Sequence, residues 1–119
     1  MAAHFEIYKD KVGEFRFHLK AANGEIILVS EGYKQHASAV HGIESVKTNA
    51  PDDARYDRKV STSGKPHFNL KARNGEIIGS SQLYASKQTR DHGIEAVKKA
   101  ATEATIKDQF FSKLWENLS

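Results

Sequence analysis

The chain has 119 residues, 39% of them apolar, with 18 Lys and Arg against 15 Asp and Glu for a formal net charge of +3. Leu, Ile, Val and Phe number 26, just above the share that marks disorder, so one compact domain with a modest core is expected. The lack of Cys excludes disulfide frameworks, thiolate metal sites, Fe–S clusters and Cys nucleophiles. No apolar run reaches the roughly 18 residues of a membrane span and no signal-peptide stretch follows Met1, so a soluble cytoplasmic protein is expected.

In chain order, Phe5-Glu6-Ile7-Tyr8 reads as a short strand. Phe15 to Ala21 alternates apolar and polar residues at period two, the pattern of a half-buried strand. Asn23-Gly24 then predicts a two-residue type I′ hairpin loop, a turn that requires positive φ at both central residues. Such a loop pairs Ala22 with Glu25, Ala21 with Ile26, Leu19 with Leu28 and Phe17 with Ser30. It places Phe15, Phe17, Leu19, Ala21, Ile26 and Leu28 on one face, and Arg16, His18, Lys20, Ile27 and Val29 on the other. The period then lengthens. Ala39, Ile43, Val46 and Ala50 form one helical face, and Asn49-Ala50-Pro51 stops the helix.

From Pro51-Asp52-Asp53-Ala54 onward the chain repeats itself. Phe15 to Ala50 aligns without a gap onto Pro66 to Ala101 at an offset of 51, with 18 of 36 positions identical. Upstream, Phe5 meets Tyr56 and Gly13 meets Gly64. The second copy therefore predicts a strand over Tyr56 to Val60 and a second Asn74-Gly75 hairpin. Phe68, Leu70, Ala72 and Ile77 face inward there, and His67, Asn69, Lys71 and Ile78 outward. A helix bearing Ile94, Val97 and Ala101 follows, with Ser86 as its N-cap. Gly42 and Gly93 sit inside the two helices, where Gly costs about 1 kcal/mol relative to Ala, which points to close approach of helix and sheet.

A unit of about 50 residues is too small to close a core alone, so the copies are expected to complete each other's. The expectation is one pseudo-two-fold α+β domain over residues 1–108, with repeat one at about 5–54 and repeat two at about 55–108. Two helices would pack on one face of an antiparallel sheet. Beyond it, Ile106, Phe110, Phe111, Leu114, Trp115 and Leu118 predict a short amphipathic helix over the 109–119 tail. At about three turns it needs a surface to lie on.

The pattern F-x-F-x-L-x-A-x-N-G-E, then S-x-x-Y, then G-I-x-x-V-K, present twice between about Phe5 and Ala101, resembles the tandem-duplicated branch of the bacterial YegP-like family. The resemblance implies a β3-αβ unit present twice, forming one sheet with exchanged C-terminal strands, Thr105-Ile106-Lys107 being the last of them. That family is functionally uncharacterised, so the resemblance supplies no site residues.

The residues themselves point away from catalysis. There is no G-x-S-x-G, P-loop or G-x-G-x-x-G pattern, and His36 and His41 are five apart, so the i,i+4 zinc arrangement is missing. His41 and His92 recur in both copies, either as a pseudo-two-fold pair or as solvated helix positions. Ser30, Tyr33, Ser81 and Tyr84 stand at strand-to-helix corners, where they either line a pocket or serve the turn and the core. No enzyme activity, metal or cofactor is expected. The leading expectation is association with a protein or with a second copy, through an outward stripe of Ile27, Val29 and Ile78 together with Phe110, Phe111, Leu114 and Trp115 of the tail. The alternative is a weak nucleic-acid binder using Arg16, His18, Lys20, His67, Lys71 and Arg73 on the outward sheet face. No membrane contact is expected.

Overall fold

The computed structural model describes residues 2–108. Strands β1 (His4–Lys9), β2 (Phe15–Lys20) and β3 (Ile26–Val29) lead into helix α1 (His36–Asn49). A 3-10 turn at Asp53–Arg55 opens the second set: β4 (Tyr56–Val60), β5 (Pro66–Lys71), β6 (Ile77–Ser80), helix α2 (Lys87–Glu103) and β7 (Thr105–Asp108). All seven strands form one sheet in the order β4-β5-β6-β3-β2-β1-β7. Two three-stranded meanders thus meet at β3 and β6, which pair antiparallel at Val29 and Ser80.

The expected antiparallel sheet holds from β1 to β6 and is corrected at β7. That strand runs parallel to β1, with His4 beside Thr105 and Ile7 beside Asp108. Hairpins force antiparallel neighbours, whereas a helical crossover such as the 17-residue α2 does not.

The hairpin loops also differ from the expectation. Gly24 N–H donates to Ala21 O at 2.9 Å, and Ala21 N–H to Glu25 O at 2.9 Å. Gly24 has φ +88° and no residue other than Gly has positive φ among the described residues. This is a three-residue loop with Gly at the bulge, repeated at Gly75, φ +89°. The Asn23 side chain accepts from the Glu25 N–H at 3.0 Å, favouring the turn that Asn-Gly signals while leaving Asn itself at negative φ.

The pairing Leu19–Leu28 is as expected, but the register then shifts and Lys20 pairs with Ile26. Ile27 is the extra residue of the bulge, so it falls on the same side as Leu28. Ile27 and Ile78 are therefore buried, and Ile26 and Ile77 are exposed, the reverse of the simple alternation. Val29, at 38% exposure, does face outward.

The core is one cluster drawn from both halves of the chain, built on Phe5, Phe17, Leu19, Ile43, Val46, Phe68, Leu70, Ile94 and Val97. The helical stripes sit where their spacing puts them, with Ala39, Ile43, Val46 and Ala50 of the first and Ile94, Val97 and Ala101 of the second all buried. Helix α1 packs against β2, β5 and β6, and α2 against β1, β2, β3 and β5. Each helix covers strands of both halves. Burying one such Phe or Leu contributes about 1.5–3 kcal/mol. Ser86 caps α2 as expected: its Oγ accepts from Thr89 N–H at 3.1 Å. Gln35, the matching residue before α1, makes no side-chain cap.

The halves differ where they meet. Leu28 and Gly79 correspond at the offset of 51, and a Cβ on Gly79 would lie 2.7 Å from Leu28 Cγ and Cδ2. One leucine fills the space available beside the β3–β6 join. Gly79→Leu should cost about 1–3 kcal/mol, as overpacking does. Combining it with Leu28→Gly moves the side chain across the join and should recover most of that loss in urea unfolding midpoints.

Candidate functional site

The open sheet face carries the basic residues expected to meet phosphate. Antiparallel pairing sets Glu6 of β1 opposite His18 of β2. Glu6 Oε1 accepts from His18 Nε2 and lies 3.2 Å from Lys20 Nζ, while Oε2 lies 3.0 Å from His4 Nε2. Asp57 on β4, which matches Glu6 at the offset of 51, stands 3.1 Å from Lys71 and 3.6 Å from Lys59. Arg16 pairs with Asp10 at 2.7 Å and donates to Ser30 O at 3.2 Å. Four of the six basic candidates, Arg16, His18, Lys20 and Lys71, thus already have a carboxylate. His67 is half-buried on β5 and Arg73 is exposed near the end of its hairpin, and neither has an ion pair among the described residues. Glu6 and Asp57 were legible as a repeated acidic position, and their neutralising role follows from cross-strand register.

The apolar stripe is likewise displaced. Ile27 and Ile78 belong to the core, so on the open face Val29 is accompanied by Ile26 and Ile77. Phe110, Phe111, Leu114 and Trp115, with the helix expected over the tail, lie outside the described residues.

The repeated Ser and Tyr divide into two roles. Ser30 Oγ accepts from Phe17 N–H at 2.8 Å and donates to Glu31 O at 2.8 Å. Ser81 does the same with Phe68 N–H at 2.9 Å and Gln82 O at 2.8 Å. Both close strand ends. Tyr33 and Tyr84 stack on Phe17 and Phe68 with ring centroids 6.4 and 6.3 Å apart. Their hydroxyls reach the helical glycines: a Cβ on Gly42 would lie 2.7 Å from Tyr33 Oη and 2.9 Å from Phe17 Cε2, and one on Gly93 would collide with Tyr84 Oη. The close approach expected from Gly42 and Gly93 is thus made chiefly by tyrosine rings lodged between helix and sheet.

Burial raises both phenols above the usual tyrosine range. Glu31 and Glu76 add to the rise at Tyr33, and Glu25 does so at Tyr84, where a hydrogen bond with Gln82 opposes it. The Glu of each N-G-E turn therefore acts on the tyrosine of the other half. Tyr33 lines a groove of about 570 Å³ between α1 and the β5–β6 hairpin, with Ser38, His41 and Ser45 on the helix wall and Glu76 and Ile78 on the hairpin wall.

The two sheet edges are unlike. β7 covers β1 and is fastened by Asp108 Oδ2, 2.6 Å from His36 Nε2, and by Lys47 Nζ donating to Ala104 O at 2.8 Å. β4 ends the sheet on the other side with no strand beyond it among the described residues. Tyr56 Oη donates to Ala50 O at 2.8 Å and ties the start of β4 to the end of α1. Arg58 is held by Asp53 at 3.2 Å and Asp91 at 3.3 Å, and Val60 is 57% exposed.

Glu6 gives this region a definite acid response. The hydrogen bond from His18, with smaller contributions from His4 and Lys20, outweighs burial and lowers the Glu6 carboxyl from an ordinary 4.5 to about 2. A depressed folded-state value adds stability that is fully present above 4.5 and is lost as pH falls towards 2. Glu6→Gln should therefore be less stable than the parent at pH 6, and the gap in urea midpoints should close between pH 4.5 and pH 2.

No helix among the described residues is long and apolar enough to cross a membrane. The chain matches the family described as Domain of unknown function (DUF1508) twice, over residues 10–57 and 61–108. It is 58% identical over 106 residues to the UPF0339 protein in ptx operon 5′ region of Stutzerimonas stutzeri, covering 89% of this chain and 96% of that one. It is 52% identical over 108 residues to UPF0339 protein YegP of Escherichia coli K12, covering 91% and 98%. The solution NMR structure of E. coli yegP, described as a protein of unknown function, superposes with a TM-score of 0.85 at 52% identity, covering 91% of this chain and 93% of that one. That of a UPF0339 protein from Shewanella oneidensis does so with a TM-score of 0.84 at 49% identity, covering 91% and 92%. With the α+β fold, the single seven-stranded sheet and the two helices in common, this chain belongs to the bacterial DUF1508 family of YegP-like proteins.

Proposed function

We propose that the protein is a non-catalytic association module whose two halves arose by duplication and share one domain, and whose open β4 edge pairs with the same edge of a second copy. The observation that carries this reading is the inequality of the edges. β1 and β4 correspond at the offset of 51, yet β1 is covered by β7, the last strand of the other half, and β4 has no such cover among the described residues. The cause lies in the linker. After α1 the chain turns through Asp53–Arg55 directly into β4, so the first half has no spare strand to give in exchange.

An exposed edge offers unpaired N–H and C=O groups to an added strand. Antiparallel pairing of two β4 strands centred on Arg58 sets Asp57 opposite Lys59 and Tyr56 opposite Val60, on each side of the two-fold. Such opposite-charge and apolar cross-strand pairs contribute about 0.2–1 kcal/mol each. The facing Arg58 side chains are already compensated by Asp53 and Asp91.

The nucleic-acid reading draws less support, because Glu6 and Asp57 occupy the cations that phosphate would need. Sedimentation equilibrium over a wide concentration range tests the proposal, with a monomer–dimer equilibrium as the expected result. Lys59→Asp sets Asp opposite Asp and should weaken the dimer at least tenfold, and adding Asp57→Lys should restore it. A monomer at every concentration, or a dimer indifferent to Lys59→Asp, overturns it. Oligonucleotide binding that falls steeply with salt would instead favour the basic face.

A further inference from the structure

We propose that the groove between α1 and the β5–β6 hairpin binds a small hydroxylated amine, with its ammonium group between the Glu76 carboxylate and the Tyr33 hydroxyl. The groove's volume of about 570 Å³ falls within the roughly 300–1,000 Å³ typical of small-molecule sites.

Its charge is the first argument. The chain has 18 Lys and Arg, yet none lines this groove, and its one carboxylate, Glu76, has no ion pair among the described residues. Glu31 and Glu76 both act on Tyr33, so the phenol stands in a negative field. A cation is the complementary guest.

Divergence between the halves is the second. Half of the 36 aligned positions have changed, but Tyr33, His41 and Glu76 have identical counterparts in Tyr84, His92 and Glu25. Packing accounts for the tyrosines, which stack on Phe17 and Phe68. It does not account for His41 or Glu76, whose side chains are exposed and make no hydrogen bond or ion pair among the described residues.

The helix wall supplies the preference for hydroxyls. Ser38, His41 and Ser45 follow one another a turn apart, and Ser45 Oγ accepts from Asn49 Nδ2 at 3.3 Å, leaving its own O–H to donate. At the matching positions of α2, Thr89 spends its hydroxyl on the cap with Ser86, and Ala96 has none. The groove along α1 therefore has hydroxyls to offer that the matching positions of α2 lack. Ala37 and Ala72 provide an apolar patch for the body of the guest.

Amide NMR titration of the full chain with glucosamine, and with glucose as its neutral counterpart, tests the proposal near neutral pH at fixed salt. Glucosamine should give saturable shifts at Gly42, Ser45 and Glu76, with an affinity at least tenfold above that of glucose. Glu76→Gln, an exposed change, should abolish that advantage, and Glu25→Gln should leave it intact. No saturation by about 10 mM, equal response to the two sugars, or no effect of Glu76→Gln overturns the proposal. The result is independent of the sedimentation behaviour, so failure here leaves the β4 edge untouched.

Discussion

Neither helix of this chain covers only the strands of its own half. α1 lies across β2, β5 and β6, and α2 across β1, β2, β3 and β5, so removing either helix would uncover apolar residues of both meanders. For halves of about 50 residues, too small for a comfortable core, sharing one is the physical route to stability. Two local features follow from it. The join between β3 and β6 has room for a single large side chain, and Leu28 takes it at the expense of Gly79. The helices must also pass over the tyrosine rings at the strand ends, which requires Gly42 and Gly93 where any side chain would meet the phenol.

The opposite face obeys a different rule. Apart from Ile26, Val29 and Ile77 its exposed side chains are largely polar, and cross-strand register rather than composition decides what its charges do. Glu6 and Asp57 each collect neighbouring cations, so a chain with an excess of Lys and Arg presents few uncommitted positive groups there. Pairs this exposed contribute modestly to stability. Of the basic residues Arg16, His18, Lys20, His67, Lys71 and Arg73, the pairing leaves His67 and Arg73 without a carboxylate among the described residues.

Much of the architecture was legible because periodicity reports burial directly. The helical stripes, the strand from Tyr56 to Val60, the stop at Asn49 and the Ser86 cap all follow from residue spacing and capping chemistry. The hairpins were harder. Asn-Gly signals both a two-residue loop and a three-residue loop with a bulge, and the difference moves Ile27 and Ile78 from the open face into the core. The interaction stripe drawn from strict alternation failed at those two positions for that reason. The groove was hidden for another: Tyr33 and Glu76 stand 43 positions apart in different halves, and only the crossing of α1 over the second meander brings them to one place. The repeated S-x-x-Y and N-G-E motifs carried the signal, without saying which copy meets which.

The parallel contact between β1 and β7 joins segments separated by nearly the whole described chain. Such a contact has a high closure cost and is expected late in folding. On the ribosome, β1, β2 and β3 emerge long before Thr105, so until β7 has been made β1 is an unprotected edge as well as β4. During that interval the nascent chain carries two open edges, and a neighbouring nascent chain presents the same pair. The β1–β7 pairing thus makes faithful assembly depend on how soon β7 is made, and slowing translation of α2 would lengthen the window for pairing with the wrong molecule.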